Sequence, residues 1–440
     1  MNLQDERKMY DNLLRGVEIP KFVRVKFNLP VGDITAETIP AVVRETVTER
    51  NVFAKVKAGE SVALTCGSRE ISNIHIILKS IVDILKEIGA KPFIIPAMGS
   101  HGGATAEGQK AFLTHYGVTE EFIGAPVRAT METSYVGESA SGVPVYMDKY
   151  AWEADWLIPV GRVKPHTDFR GKIESGVMKM LTIGCGKQYG ANFCHEAGMP
   201  NMYKNVTEMA RVMINSGKVL CGVAILEDAF HGTYKIKALP ADVIEQEEEQ
   251  LLAEAKDIVP GIPFEKADVL ILDEIGKNIS GTGYDPNIVG RSMDLGRWKP
   301  NFENIMMRGI SKKSHHSGFG LGLGDVVTQR FVDEYDPHVT VPNAITAHKL
   351  PMLRMPYVMP DDYNALRIAM HTCIECDKEK GIRIVWMHNS LCIDSFLISE
   401  ALIPEAEAHP LLEIVSEPME VEYDEDYYFT APESYLGYCD

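Results

Sequence analysis

The sequence predicts an α/β protein of two domains with a cleft between them. Three observations lead there. Short apolar runs alternate with stretches of helical periodicity, and glycines crowd the junctions. A chain of 440 residues also exceeds what one core commonly serves, at roughly 150 residues per domain. Alternation of this kind implies parallel strands joined by crossover helices, with ligands gathering at the carboxyl ends of the strands.

The elements follow in order. Residues 21–29 (KFVRVKFNL) alternate as an opening strand, and 39–51 read as a helix. SVALTCGSRE (61–70) is an apolar run that ends in Gly67-Ser68-Arg69. Residues 72–90 carry apolar side chains at helical spacing, with Ser72 as the expected N-cap and Gly89 as the stop. Residues 91–117 repeat the unit as strand, glycine-rich loop and helix. DWLIPVGRVKPH (155–166) is a third strand-like run, residues 200–218 a helix and 219–226 a strand. A charged helix follows, and its acids between Glu245 and Glu249 read as a solvated face. The Pro/Gly break after it places the domain boundary, giving domains 1–262 and 263–440. ADVLILDEIG (267–276) opens the second α/β unit, and 366–389 continue it as helix, turn and strand. The tail from Met419 is acidic and aromatic and reads as an arm.

Composition narrows the function. The apolar share of 45% and charged share of 24% are those of a globular protein. A net charge of −18 argues against nucleic acid as the main partner, while leaving room for a local basic pocket. No apolar window has the length of a membrane span, and the polar N-terminus lacks the apolar core of a signal peptide. Eight cysteines scattered over the chain do not form a disulfide framework, so the cytoplasm is the expected compartment.

The chemistry concentrates between Gly161 and Gly198, where His166, Lys179 and His195 share one glycine-punctuated segment. Two imidazoles and an amine at short range suit a site that binds a ligand and moves protons. Gly99-Ser100-His101 follows a strand and opens a helix, whose first N–H groups suit an anion. Arg69 at a strand end could hold a carboxylate in bidentate fashion. Weaker features fall elsewhere. Cys373 and Cys376 lack the second pair that a structural zinc needs, and read as reduced, buried thiols. His315 and His316 are neighbours whose side chains would point apart in a strand. Lys277, Asn278 and Arg291 flank a glycine-rich turn that could face the cleft. On spacing alone, a metal-dependent hydrolase or lyase and a Schiff-base lysine enzyme both remain open.

Ser68-Arg69, Gly99-Ser100-His101, Lys164-Pro165-His166, Lys179 and His195 together resemble the lactate racemase family over residues 20–300. The most specific element is Lys179 and His195, sixteen residues apart and downstream of a Pro-His. The resemblance implies a nickel-pincer nucleotide (pyridinium-3,5-bisthiocarboxylic acid mononucleotide with Ni²⁺), seated with substrate in the interdomain cleft. It implies that Lys179 is the covalent anchor and His195 the protein ligand to nickel. It makes His101 and His166 the general base and acid and Arg69 the residue that orients the substrate carboxylate. Ser68, Arg69, Gly99, Ser100 and Lys277 fall to cofactor binding. The reaction implied is racemisation or epimerisation of a 2-hydroxy acid: hydride leaves Cα for the cofactor and returns to either face of a planar 2-keto acid. Maturation enzymes that build the nucleotide are the implied partners.

The chain departs from the family pattern. Cys66-Gly67-Ser68-Arg69-Glu70 stands where an Asp-His-Thr-Arg-Pro type loop is common, and Lys164 stands where a glutamate often precedes Pro-His. No second-domain glutamine–lysine pair is matched, and Lys277 or Arg291 could substitute. Asp168, Arg170, Lys172 and Glu174 near His166 offer extra polar contacts, which points to a sugar acid rather than lactate. A non-catalytic binder of nickel or of a nucleotide is the reading from another class.

Overall fold

A computed structural model describes residues 3–430 apart from 197, 347, 348 and 378. The last ten residues of the expected tail arm, Cys439 among them, lie outside the described residues. The chain forms two compact bodies, each α/β: residues 30–259, and residues 1–29 together with 260–440.

This division corrects the expected domains, which gave residues 1–29 to the N-terminal unit. The opening strand, Phe22–Phe27, pairs antiparallel with Ser395–Ser399 on one side and Leu412–Ile414 on the other. Helix Leu3–Leu13 precedes it, and Asp11 pairs with Arg367 at 2.8 Å. Alternating residues identify a strand but carry no address for its partner, so a pairing more than 360 residues distant is silent in the local pattern.

The body 1–29/260–440 holds an eight-stranded sheet. Tyr357–Met359, Val326–Thr328, Asn301–Met307, Lys266–Leu272 and Ile384–Met387 run parallel in that spatial order. Ser395–Ser399, Phe22–Phe27 and Leu412–Ile414 extend it antiparallel. Lys266–Leu272 is buried along nearly its whole length, as the central strand of a parallel sheet must be.

Of the residues that the resemblance assigns to cofactor, metal or substrate, the body 30–259 carries all but Lys277. Its central strand Ser61–Cys66 lies parallel to Lys91–Pro96 and Trp156–Ile158. The run 155–166 is two strands, not one. It divides at Pro159, which has no N–H to give a ladder. Val160–Arg162 beyond it joins a second sheet, parallel to Cys221–Glu227, which pairs antiparallel with Thr233–Pro240. Helix Ile74–Glu87 buries Ile77, Leu78, Ile81 and Leu85 at the spacing of one helical face. Its N-cap is Asn73, in the left-handed region at φ 57°, rather than Ser72. The Ser72 N–H is given instead to Glu227 Oε1 at 2.7 Å.

Candidate active site

Three strand ends and one helix build a cavity of ≈ 310 Å³ in the body 30–259. Strand Ser61–Cys66 ends in Gly67, Ser68 and Arg69; Lys91–Pro96 ends in Ala97 to His101; Val160–Arg162 runs on to Lys164. The floor is the turn Val177–Lys179 with the π-helical turn Met180–Gly184, in which Cys185 N–H donates to Met180 O at 2.9 Å. Helix Lys187–Glu196 closes the wall with Asn192 and His195. π-Turns widen a helix by one residue and recur at functional sites. Gly184 belongs in this one for steric reasons, since a Cβ there would lie 2.8 Å from Ala97 O.

Seven of the residues singled out in the sequence line this one cavity: Ser68, Arg69, Gly99, Ser100, His101, Lys179 and His195. His166 does not line it, although Lys164 does. The His166 ring packs on Phe169, its backbone N–H donates to Glu174 Oε2 at 2.7 Å, and its Nδ1 accepts the Asp168 N–H at 3.0 Å. That acceptor role assigns the proton of the neutral ring to Nε2. Lys277 belongs to the other body, where its amine bonds Asn343 Oδ1. Arg291, the other candidate there, is spent on structure: it donates to the carbonyls of Leu323, Phe302 and Glu303 and pairs with Asp325. Cys373 and Cys376 are free thiols, and burial pushes the Cys373 thiol up to about 12. His315 and His316 both take left-handed backbone, and His316 Nδ1 contacts Glu334 O at 2.9 Å.

The electrostatics follow from who lines the cavity. Arg69, Arg162, Lys164 and Lys179 do; among the described residues no carboxylate does. Burial lowers Lys179 to about 8, and the Arg69 guanidinium pushes the same way. His195 keeps surface open, yet loss of hydration lowers its imidazole below the ordinary range, with Lys179 adding to the effect. A neutral imidazole is the form that ligates a metal. Ser68 Oγ contacts His101 Nδ1, while Tyr116 OH donates to Ser68 O at 2.8 Å, so the Ser68 hydroxyl orients His101.

Sequence reasoning passed over Arg162, which bonds Glu227 and lines the cavity. The signal was available, because Arg162 and Lys164 stand two apart on an extended run and so share a face. It also misread Glu248, which is 1% exposed on a helix taken to present a solvated acidic face. Its Oε2 accepts the Met178 N–H at 3.1 Å, directly beneath the turn that carries Lys179, and its Oε1 has no hydrogen-bond partner. A Cβ at Gly176 would lie 2.5 Å from that oxygen.

Burial raises the Glu248 carboxyl to about 8, opposed by the backbone N–H groups of Met178 and Val177. The folded protein therefore holds this proton while the unfolded chain has released it from about 4.5 upward. Stability attached to Glu248 is lost as pH rises between those two values and is level above the upper one, with a slope of at most ~1.4 kcal/mol per pH unit. Glu248→Gln, which stays neutral, is expected to flatten that slope in denaturant titrations between pH 5 and 8. A variant with the wild-type slope would show that Glu248 is ionised in the fold.

Asp168, Arg170, Lys172 and Glu174, the motive for a sugar acid, do not line the cavity. Lys172 pairs with Glu249 at 3.0 Å. Glu174 is buried between the His166 N–H and Lys256, and Arg170 donates to His166 O and Phe169 O. These side chains brace the segment that carries His166.

The model of the lactate racemase N-terminal domain matches residues 20–202 of this chain. Among solved structures, the lactate racemase apoprotein from Thermoanaerobacterium thermosaccharolyticum is similar, with a TM-score of 0.43 and 11% identity, covering 77% of this chain and 98% of that one. No curated protein matches the chain.

Proposed function

We propose that this chain, whose residues 20–202 match the model of the lactate racemase N-terminal domain, racemises or epimerises a 2-hydroxy acid with a nickel-pincer nucleotide held on Lys179. The observation that carries this reading is one cavity that holds an amine lowered to about 8 and an imidazole lowered below its ordinary range, Lys179 and His195, with cations and, among the described residues, no carboxylate in its lining, Asp168 acting on Lys179 from outside it.

The residues fit such a group. A Lys179 amine that titrates near neutrality is nucleophilic enough to be acylated. Among the described residues no three His, Cys, Asp or Glu side chains converge as a metal cage. His195 would then serve as the single protein ligand, with the other donors carried by the nucleotide. Imidazole is a donor that nickel accepts, so His195 would suit that role. Arg162 and Lys164 supply positive charge for the nucleotide's phosphate. When bound, the nucleotide supplies reversible acceptance of a hydride from the substrate carbon, which avoids a carbanion at a barely acidic position.

The chain's own residues do the rest. Arg69 binds the substrate carboxylate and fixes which atom faces the cavity floor. His101, oriented by Ser68, takes the hydroxyl proton for one enantiomer and returns it. The other enantiomer is assigned to His166, which Glu174 and Phe169 brace beside the cavity rather than in its lining. With the polar residues around His166 engaged elsewhere, a simple hydroxy acid fits the cavity lining better than a polyol. Cytosolic maturation enzymes that load the nucleotide complete the reading.

Intact mass and nickel content, with and without co-expressed maturation enzymes, test it. A nucleotide-sized addition mapping to the Lys179 peptide, with about one nickel per chain, is expected. Racemisation of a Cα-deuterated substrate in ordinary water should retain the label. No addition after full co-expression, or washout of the label, rejects the proposal. The lowered amine also suits a Schiff base, and borohydride trapping of a carbonyl substrate on Lys179 without nickel would select that alternative.

A further inference from the structure

We propose that Gln109 is a positioning residue for His101, and that the buried Lys187–Asp148 ion pair sets its orientation. The inference deepens the reading above, since it rests on His101 as the proton-transferring group of the cavity.

Gln109, Asp148 and Lys187 are all 0% exposed. None of them lines the cavity. Lys187 Nζ lies 2.9 Å from Asp148 Oδ2 and 3.1 Å from Gln109 Oε1, and it also donates to Pro96 O. An ammonium has three donors and no acceptor, so it can be satisfied only by oxygen. The Gln109 amide must therefore turn its oxygen to Lys187. That leaves its NH₂ facing the opposite way, where Nε2 donates to Gly99 O at 2.9 Å and to His101 O at 3.2 Å. The result is a one-way chain of hydrogen bonds from the Lys187 ammonium, itself ion-paired with Asp148, through Gln109 to the carbonyls of the loop that presents His101.

The surroundings are shaped to this chain. Lys187 takes left-handed backbone at φ 53°, a conformation that a non-glycine residue keeps only where the surroundings hold it. Gly102, at φ 69°, packs so closely that a Cβ would lie 2.7 Å from Gln109 N. Thr105 Oγ1 accepts the Gly108 N–H at 3.0 Å and starts the helix on which Gln109 sits. Asp148 N–H donates to Cys185 O at 2.7 Å, tying the pair to the π-turn that follows Lys179. Burial raises the Asp148 carboxyl, and the Lys187 ammonium opposes the rise. One network thus holds both the loop bearing His101 and the turn bearing Lys179.

The test uses Gln109→Glu, which keeps size and the acceptor for Lys187 but sets oxygen against the Gly99 and His101 carbonyls. The first readout is carbethoxylation of His101 against pH, mapped by peptide mass on unloaded protein. Arg69, Arg162, Lys164, Lys179 and His195 line the same cavity and are unchanged in the variant. We expect a displaced His101 profile, faster hydrogen exchange in residues 98–105, and an unchanged Lys179 adduct. In loaded enzyme kcat should fall about 10–100-fold with KM nearly constant, as for other outer partners of a functional group. If Gln109→Glu does not fold, Asp148→Asn is read in the same way. A folded variant with the wild-type His101 profile overturns the proposal. Failure of both variants to fold also overturns it, since the network would then serve stability alone. Wild type lacking any adduct would reject the racemase reading, while the carbethoxylation arm would still decide the coupling of Gln109 to His101.

Discussion

Lys179→Met protein will fold, carry no nucleotide adduct and show no turnover. The loss should be on the order of 10⁴-fold or more, because removing a residue that anchors a catalytic unit removes the whole unit. His195→Ala should differ, keeping the adduct while losing nickel. Lys179→Met should also be no less stable than wild type at pH 7, and this follows from the sign of the Lys179 shift. The amine binds its proton up to about 8 in the fold but up to 10.5 in the unfolded chain. Below the lower value the folded protein bears the full cost of a half-buried charge. Stability therefore rises with pH between the two, and only in wild type. Amine labelling of Lys179 should be half-maximal near the lower value. A Lys179→Met protein that still gains the nucleotide mass would remove the lysine from the mechanism.

The second large effect lies in the other body. Arg308→Met should cost about 3–5 kcal/mol, because it strands buried charges that lose their partner. Arg308 is 6% exposed and follows strand Asn301–Met307. Its Nη2 lies 2.6 Å from Asp362 Oδ2, Nη1 bonds Asp273, and the guanidinium sits 5.2 Å from the Trp386 ring centre. Burial works against ionised Asp273, but Arg308, with hydrogen bonds from His388 and Trp386, holds its carboxyl below the ordinary range. The variant leaves that charge uncompensated. The stability gap to wild type should thus narrow from pH 7 to pH 4, as stranded carboxylates take up protons. At this size a loss of that order lowers Tm by roughly 10 °C. A gap that is small, or independent of pH, would show that the cluster is not held by charge.

The sequence carried the cavity further than it carried the fold. Arg69 and His101 follow strand ends, Lys179 sits in a short turn and His195 on a helix, all in glycine-punctuated stretches where residue type and local pattern agree, and all four meet in one cavity. What stayed hidden depended on contacts distant in sequence. Gln109 reads as one polar residue on a short helix, and nothing near it announces Lys187 or Asp148. Glu248 was legible in principle. It falls in helical register with Ile244, Leu251 and Ala255, all buried, but its acidic neighbours drew the reading toward solvent. The residues around His166 were read by kind rather than by direction. Charged side chains near a candidate base can face a ligand or brace a backbone, and only the fold tells which.

The placement of the first 29 residues bears on the order in which the chain is made. The body 30–259 is one unbroken stretch, and its residues have all left the ribosome well before synthesis ends. The other body includes strand Phe22–Phe27, whose neighbours begin at Ser395 and Leu412. At 5–20 residues per second that strand waits roughly 20–70 s for its partners. The lysine-bearing half can be folded, with its cavity complete, while strand Phe22–Phe27 is still unpaired.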